Sequence, residues 1–117
     1  MNNSYDVAII GCGTAGIFAG YELIARHPEL KICVLDQGGD IYSRHCPIVA
    51  GKVKECIHCS VCDTMCGFGG AGAFSDGKLN TGTKDLRHRF ILETLVRCGA
   101  PDTILTDAKP HAVSYTH

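Results

Sequence analysis

The glycines near the start of the chain have the spacing of a dinucleotide-binding turn. Gly11, Gly13 and Gly16 match the pattern G-x-G-x-x-G. In such a turn the first glycine allows a tight bend, the second leaves room for a pyrophosphate, and the third lets the helix pack closely on the sheet. The N–H groups of residues 13–16 would then face the phosphates from a helix N-terminus. The predicted cofactor-binding residues of this turn are Gly11, Gly13, Thr14, Ala15 and Gly16.

An acidic residue follows where a dinucleotide-binding unit contacts the ribose. Asp36 ends the second predicted strand, 20 residues after Gly16. A carboxylate there accepts a hydrogen bond from a ribose 2′-OH and repels a 2′-phosphate. Gln37, the next residue, is a further predicted cofactor-binding position. The glycine pattern alone is a weak signal and could be a simple glycine-rich turn, but its context indicates FAD or NAD, and its place at the N-terminus favours FAD by analogy with flavoproteins.

A second glycine cluster, residues 67–79, contains five glycines between positions 67 and 77. Such a run offers closely spaced backbone N–H groups to an anion or a flat ring. The hydroxyl and carboxylate that follow it could bond ribityl hydroxyls, and Lys78 could offset phosphate or reduced-flavin charge. A flexible linker is the alternative, which Phe68 and Phe74 disfavour. The predicted residues are Gly69, Gly70, Ala71, Gly72, Ser75 and Asp76.

Four of the eight cysteines have the spacing C-x₂-C-x₂-C-x₃-C of a bacterial ferredoxin run. They predict a [4Fe–4S] site, with Cys46 as a candidate fifth thiolate. A Cys₄ zinc site with His58 as a further candidate ligand, a redox C-x-x-C pair within the run, and unliganded cysteines remain open alternatives. Cys12, Cys33 and Cys98 are predicted to be small buried side chains. The predicted metal ligands are Cys56, Cys59, Cys62 and Cys66.

Residues 6–16, Cys46-Pro47 and residues 67–79 together resemble one protein family. They look like FAD-dependent oxidoreductases of the two-dinucleotide-binding-domain superfamily, in particular the poorly characterised NAD(P)/FAD-dependent dehydrogenases. The resemblance implies FAD, flavin-mediated electron transfer with an unknown small-molecule substrate, and NAD(P) as a candidate electron donor in the full-length protein. The alternative is a cysteine-rich iron–sulfur or zinc module without catalytic activity, in which the nucleotide-binding unit is only a scaffold.

The resemblance also implies that the chain is incomplete, because members of that family are several times longer. Residues 1–111 are expected to be the N-terminal part of an FAD/NAD(P)-binding domain, with a cysteine-rich insert at 46–66 and a glycine-rich flavin loop at 67–79. Residues 112–117 are expected to be a non-family tail from a truncation or frameshift. A missing C-terminal segment would complete the fold, so the isolated chain is expected to be marginally stable or to aggregate, and to bind FAD weakly or not at all.

The elements that must position these residues follow from the apolar pattern. Residues 5–10 and 31–35 predict two buried parallel strands, and residues 14–26 predict the helix between them, ended by His27-Pro28. Together they form a Rossmann-like βαβ unit of the α/β class. Residues 37–83 predict a long functional loop.

A second helix is predicted at residues 84–98. Thr83 is its candidate N-cap and Gly99 its C′ residue. The apolar side chains expected to share its buried face are Leu86, Phe90, Leu95 and Val96. Residues 102–117 show no periodic pattern.

Composition excludes several other classes of protein. The 117 residues carry 11 Lys and Arg against 12 Asp and Glu, so no basic excess points to nucleic acid or an anionic membrane surface. No apolar run approaches the roughly 18 residues of a membrane span. Residues 1–6 lack the features of a signal peptide, which predicts a cytoplasmic protein and argues against a secreted disulfide scaffold. No catalytic acid, base or nucleophile can be assigned.

Overall fold

The computed structural model describes residues 4–80 and 85–106. Two strands and two helices follow one another as β1 (Val7–Ile10), α1 (Thr14–Arg26), β2 (Ile32–Leu35) and α2 (Leu86–Arg97). Single turns of 3₁₀ helix lie at Ala71–Phe74 and Asp102–Leu105. The chain divides into two compact units, residues 1–73 and residues 74–117.

The first unit contains the predicted βαβ arrangement. β1 and β2 are parallel, with Val7 opposite Ile32 and Ile10 opposite Leu35. The backbone pairing continues past the strands, because the N–H of Gly11 donates to the carbonyl of Leu35 at 2.7 Å. The α/β class is therefore confirmed. Within residues 4–80 and 85–106 the sheet has two strands, so a complete Rossmann sheet is not shown.

Helix α1 has the bounds that the sequence predicts. Its C-cap is His27, whose N–H donates to the carbonyl of Leu23 at 2.7 Å, and Pro28 follows. Gly20 is buried where the helix meets the sheet. A Cβ at Gly20 would lie 3.6 Å from Cδ1 of Ile9 and 4.0 Å from Cγ2 of Val34, so the helix packs closely on both strands. Neither this helix nor any other in the described residues has the length and apolarity to cross a membrane.

Arg44 organises the loop that follows β2. Its side chain is 2% exposed, although it lies in a segment with no helix or strand. Nε donates to the carbonyl of Asp63 at 2.8 Å, and Nη2 donates to that of Thr64 at 3.0 Å. Nη1 donates to the carbonyls of Phe68 and Gly70, both at 2.9 Å. One guanidinium therefore joins the cysteine-rich segment to the glycine-rich segment.

Helix α2 lies in the second unit and begins later than predicted. Its N-cap is Asp85, whose Oδ1 accepts the N–H of Arg87 at 2.8 Å, whereas Thr83 lies outside the described residues. Gly99 is the C′ residue, as predicted, with a φ of +107°. The N–H of Gly99 donates to the carbonyl of Val96, and the N–H of the next residue donates to that of Leu95, both at 3.0 Å. These two hydrogen bonds define a Schellman motif.

The buried face of α2 differs from the prediction. Leu86 is 93% exposed, so the prediction that it shares the buried face is wrong. The buried residues of the helix are Leu92 and Thr94, and Ile104 of the 3₁₀ turn after α2 is 1% exposed. Leu86 occupies the first helical position, at the exposed start of α2. The 3₁₀ turn also lies in the segment for which no periodic pattern was predicted, because a single turn is too short to show one. Residues 107–117, including the predicted tail at 112–117, lie outside the described residues.

Candidate functional site

A cleft of about 480 Å³ lies at the carboxyl ends of β1 and β2, where open α/β sheets bind their ligands. Its walls come from the glycine turn, the end of β2 and the glycine-rich loop. Six of the predicted cofactor-binding residues meet there although they are far apart in sequence. The lining residues are Ile10, Gly11, Gly13, Leu35, Asp36, Gln37, Met65, Cys66, Gly70 and Ala71.

The glycine turn has the geometry of an anion-binding helix start. Gly11 has a φ of +96°, which glycine adopts without strain. Gly13 is the N-cap of α1 and provides no side-chain hydrogen bond. The N–H groups of Thr14, Ala15 and Gly16 therefore have no intrahelical acceptor. These groups and the helix dipole can bind a phosphate, since no side chain covers them at Gly13.

Gly16 is required by the packing of the turn itself. A Cβ at Gly16 would collide with the carbonyl oxygen of Gly11 and lie 3.4 Å from Cγ2 of Ile9. The colliding atom is backbone and cannot rotate away. The close approach that the sequence predicts is therefore present, and it brings α1 against the strand that precedes it.

Asp36 joins three segments through its carboxylate. Oδ2 accepts the N–H of Cys12 at 2.7 Å. Oδ1 accepts the N–H groups of Gly38 at 2.9 Å and Gly67 at 2.7 Å. These hydrogen bonds, led by that from Cys12 and assisted by the charge of Arg44, hold the pKa of Asp36 below its usual range. Sequence reasoning assigned Asp36 to a ribose and missed this structural role.

The two roles of Asp36 are compatible. A carboxylate has about four acceptor positions, and the backbone uses three of them here. The remaining position is on Oδ2, and Asp36 lines the cleft, so a ribose hydroxyl can donate to it. The ribose contact itself stays a prediction.

Acid is expected to weaken the fold through Asp36. Because the pKa is lowered in the folded state, the carboxylate stabilises the protein above its ordinary pKa of 3.8, and this contribution is lost as pH falls through the lowered value. Asp36→Asn should lower the melting temperature near neutral pH, because an amide NH₂ would face a backbone N–H. We expect the difference from wild type to shrink between about pH 5 and about pH 2 in circular dichroism melts. Glu55→Gln, at an exposed position, is the control. Equal melting temperatures for wild type and Asp36→Asn at neutral pH would contradict the role of Asp36.

The glycine-rich loop packs directly on the glycine turn. The N–H of Gly69 donates to the carbonyl of Cys12 at 2.9 Å. Gly70 has a φ of +64°, and a Cβ there would lie 2.8 Å from Cα of Gly13. Gly70 must therefore be glycine for two reasons, and its backbone forms a wall of the cleft.

For the other predicted flavin-loop residues, the structure gives contacts with residues that are close in the chain. Gly72 lies in the 3₁₀ turn, is exposed and would leave room for a Cβ. Ser75 and Asp76 belong to the second unit. Oγ of Ser75 accepts the N–H of Gly77 at 3.1 Å, and Asp76 forms an ion pair with Nζ of Lys78 at 3.0 Å. Contacts of these residues with a ribityl chain stay predictions.

The structure divides the cysteine run between two cavities. Cys66 lines the cleft, and its Sγ accepts a hydrogen bond from Nε2 of Gln37 at 2.8 Å. The other three cysteines of the run line a separate cavity of about 230 Å³ in the same unit. The residues around this cavity are His45, Cys46, Pro47, Ile48, Val53, Cys56, Ile57, His58, Cys59, Cys62 and Asp63. The predicted set is therefore divided between two cavities, and metal binding by these cysteines stays a prediction.

The cysteines differ in burial and in the hydrogen bonds that their thiols accept. All eight cysteines are free. Cys12 is buried as predicted and Cys33 is half-buried, but Cys98 is exposed at the C-cap of α2, so its predicted burial is wrong. The pKa of Cys46 is lowered by hydrogen bonds, first from the N–H of Val49 and then from the Thr64 hydroxyl. Within residues 4–80 and 85–106, no three His, Cys, Asp or Glu side chains lie close enough to hold one metal ion.

Arg44 is the main site-forming residue that sequence reasoning missed. Its guanidinium holds the carbonyl of Gly70, a predicted cofactor-binding residue that lines the cleft. The available signal was an arginine inside a Gly- and Cys-rich loop, where backbone carbonyls lack helical or strand partners. Gly38 was also missed: a Cβ there would lie 2.5 Å from the backbone of Cys66 and Gly67.

The chain is similar to longer proteins. It is 41% identical over 103 residues to an uncharacterised protein of Clostridium beijerinckii, covering 88% of this chain and 19% of that protein. It is 42% and 39% identical over 57 residues to proteins named mitochondrial L-2-hydroxyglutarate dehydrogenase from Nematostella vectensis and Dictyostelium discoideum, covering 49% of this chain and 12% of each. It matches no protein-family model. The chain thus spans about a fifth or less of the curated relatives it matches, and the two named relatives indicate an oxidoreductase-like region.

Proposed function

We propose that this chain is the FAD-binding portion of an FAD-dependent oxidoreductase that acts as a dehydrogenase. The observation that carries the proposal is the cleft at the carboxyl ends of β1 and β2. There Gly13, Asp36 and Gly70 line one space although they are distant in the chain. The partial similarity to two named dehydrogenases supports the same class of reaction.

Different residues of the cleft would bind different parts of the dinucleotide. The pyrophosphate lies against the start of α1, where the N–H groups after Gly13 have no intrahelical acceptor. The ribose donates a hydroxyl hydrogen bond to Oδ2 of Asp36. FAD is favoured over NAD because the glycine-rich loop, through Gly69 and Gly70, packs on the glycine turn and extends the cleft.

The residues that line the cleft would position a cofactor. Bound FAD would supply the acceptor for the hydrogen removed from a substrate. The chain would hold its phosphates, fix its ribose and shape the cleft beside Ala71. In the opposite direction of reaction, NAD(P)H would be the candidate electron donor of the full-length protein, and the reduced FAD would pass its hydride to an oxidised substrate.

Substitution of Gly13 tests the proposal. A Cβ at Gly13 would have only one neighbour within 4 Å, Cα of Gly70 at 3.8 Å, so Gly13→Ala fits the folded chain. The added methyl group would instead meet the pyrophosphate. We expect FAD to bind about tenfold more weakly or worse in Gly13→Ala, a loss of about 1.4 kcal/mol, and to be lost from Gly13→Val. The measurement is acid-released flavin per chain in the whole gene product, with circular dichroism to check the fold.

Gly20→Ala is the matched control, because its Cβ would point at the sheet and away from the cleft. It should retain the flavin content of the wild type. A folded Gly13→Val variant with unchanged flavin would overturn this placement of the cofactor.

A second candidate function is a cysteine-rich metal or electron-transfer module for which the βαβ unit is only scaffold. The cavity surrounded by Cys46, Cys56, Cys59 and Cys62 favours it. A flavin gives two resolved visible absorption bands, whereas an iron–sulfur cluster gives one broad shoulder. A broad shoulder without acid-releasable flavin would favour the module over the dehydrogenase.

A further inference from the structure

Four thiols surround one cavity that is separate from the cleft. Cys46, Cys56, Cys59 and Cys62 line it, and its volume is about 230 Å³. Much of the remaining wall is apolar, from Pro47, Ile48, Val53 and Ile57. Thiolates are the ligands that soft metal centres and iron–sulfur clusters use, and Cys56, Cys59 and Cys62 are exposed, so the cavity is open to solvent.

Cys46 takes the place that the sequence run assigns to Cys66. The backbone N–H of Cys66 donates to the carbonyl of Cys62 at 2.8 Å, and its thiol accepts a hydrogen bond from Gln37. Cys66 therefore lines the cleft with Gly13 and Asp36. Cys46 lies ten residues before Cys56 in the sequence. The fold places it at the same cavity as Cys56, Cys59 and Cys62.

The spacing of the thiols does not suit a single metal ion. One metal ion needs its ligand atoms within a single coordination sphere. Among the residues that the structure describes, no three such side chains are that close. A [4Fe–4S] cluster instead takes one thiolate on each of its four irons, so its ligands stay far apart around a larger space.

The turn at His58 supplies an independent observation. His58 has a φ of +51°, which is uncommon for a residue other than glycine. Its backbone N–H donates to Sγ of Cys56 at 3.4 Å. Backbone hydrogen bonds to sulfur stabilise thiolate ligands and tune cluster potentials. The turn thus places a hydrogen-bond donor at Cys56, one of the thiols that line the cavity.

We propose that Cys46, Cys56, Cys59 and Cys62 bind a [4Fe–4S] cluster in this cavity, and that Cys66 is not a ligand. The proposal does not depend on FAD, since the cavity and the cleft have different lining residues. Iron and flavin are also measured separately, so the two proposals fail in distinguishable ways.

The test compares cysteine variants of the whole gene product after anaerobic purification. Wild type should contain about four iron and four acid-labile sulfide per chain. Cys46→Ala, Cys56→Ala, Cys59→Ala and Cys62→Ala should each lose the cluster, while Cys66→Ala and the control Cys98→Ala should keep it. Loss of the cluster in Cys66→Ala with retention in Cys46→Ala would overturn the assignment. Stoichiometric zinc without iron, or no metal at all, would also overturn it.

Thiol alkylation of the wild type avoids any dependence on the folding of variants. With the cluster bound, iodoacetamide should label Cys98 and leave Cys46, Cys56, Cys59 and Cys62 unlabelled. After removal of iron by a chelator, these four should become labelled, as read by peptide mass spectrometry. Labelling of Cys46 in the iron-loaded protein would contradict the proposal.

Discussion

Arg44→Ala is expected to disorder the loop that forms both cavities. The substitution removes the donors that hold four backbone carbonyls, those of Asp63, Thr64, Phe68 and Gly70. A buried acceptor left without a partner costs about 1–3 kcal/mol, and nearby water can replace part of the set. We expect a loss of about 3 kcal/mol in the free energy of unfolding, which is a large part of the stability of a small domain.

Urea denaturation followed by circular dichroism measures this loss. Arg44→Lys should recover only part of it, because one ammonium group cannot reproduce the planar fork that reaches carbonyls on both segments. Arg26→Ala is the control, since its exposed ion pair with Glu22 on α1 contributes little to stability. An Arg44→Ala variant with the urea midpoint of the wild type would show that the loop is ordered by other contacts.

Gly16→Ala is expected to destabilise the protein more than any other added methyl group in the βαβ unit. Its Cβ would collide with the carbonyl oxygen of Gly11, and the backbone at Gly11 is also held by its N–H bond to Leu35. Relief of the clash must move α1 away from β1. Overpacking of this kind costs about 1–3 kcal/mol. Because the colliding atom belongs to the backbone and cannot move aside, we expect Gly16→Ala to lower the free energy of unfolding by about 3 kcal/mol, or to prevent the protein from folding into a soluble form.

Gly20→Ala in the same helix provides the matched comparison. Its Cβ would meet Cδ1 of Ile9 at 3.6 Å, an ordinary contact, and alanine is favoured over glycine in a helix by about 1 kcal/mol. This variant should be as stable as wild type or slightly more stable in urea. Equal urea midpoints for Gly16→Ala and Gly20→Ala would refute the packing argument.

Local signals in the sequence determined the βαβ unit and the ends of its helix. α1 has its predicted bounds because the glycine turn starts it and His27-Pro28 ends it, and both signals lie next to the helix in the chain. The strands begin one or two residues later than predicted, and both end at the predicted residues, with Gly11 turning the chain directly after β1. The C′ position of Gly99 was predictable for the same reason, because a positive φ after a helix favours glycine.

Side-chain partners within the loop were decided by the tertiary structure. Asp36 accepts N–H groups from Cys12 and Gly67, which are 24 and 31 residues away in the chain. Arg44 reaches Gly70 across 26 residues. Contacts over such distances depend on how the loop closes, and residue spacing carries no information about that closure.

The cysteines show the same division between sequence and structure. Their spacing indicated thiol chemistry, because four cysteines in a short run are a compositional signal. The chain fold brought Cys66 to the cleft and placed Cys46 with the other three cysteines of the run around the second cavity. The hydrogen bond from Gln37 and the packing of Gly38 against the backbone of Cys66 set the position of Cys66. Spacing along the chain thus determined which kind of ligand is present, and packing between segments determined which thiols share a site.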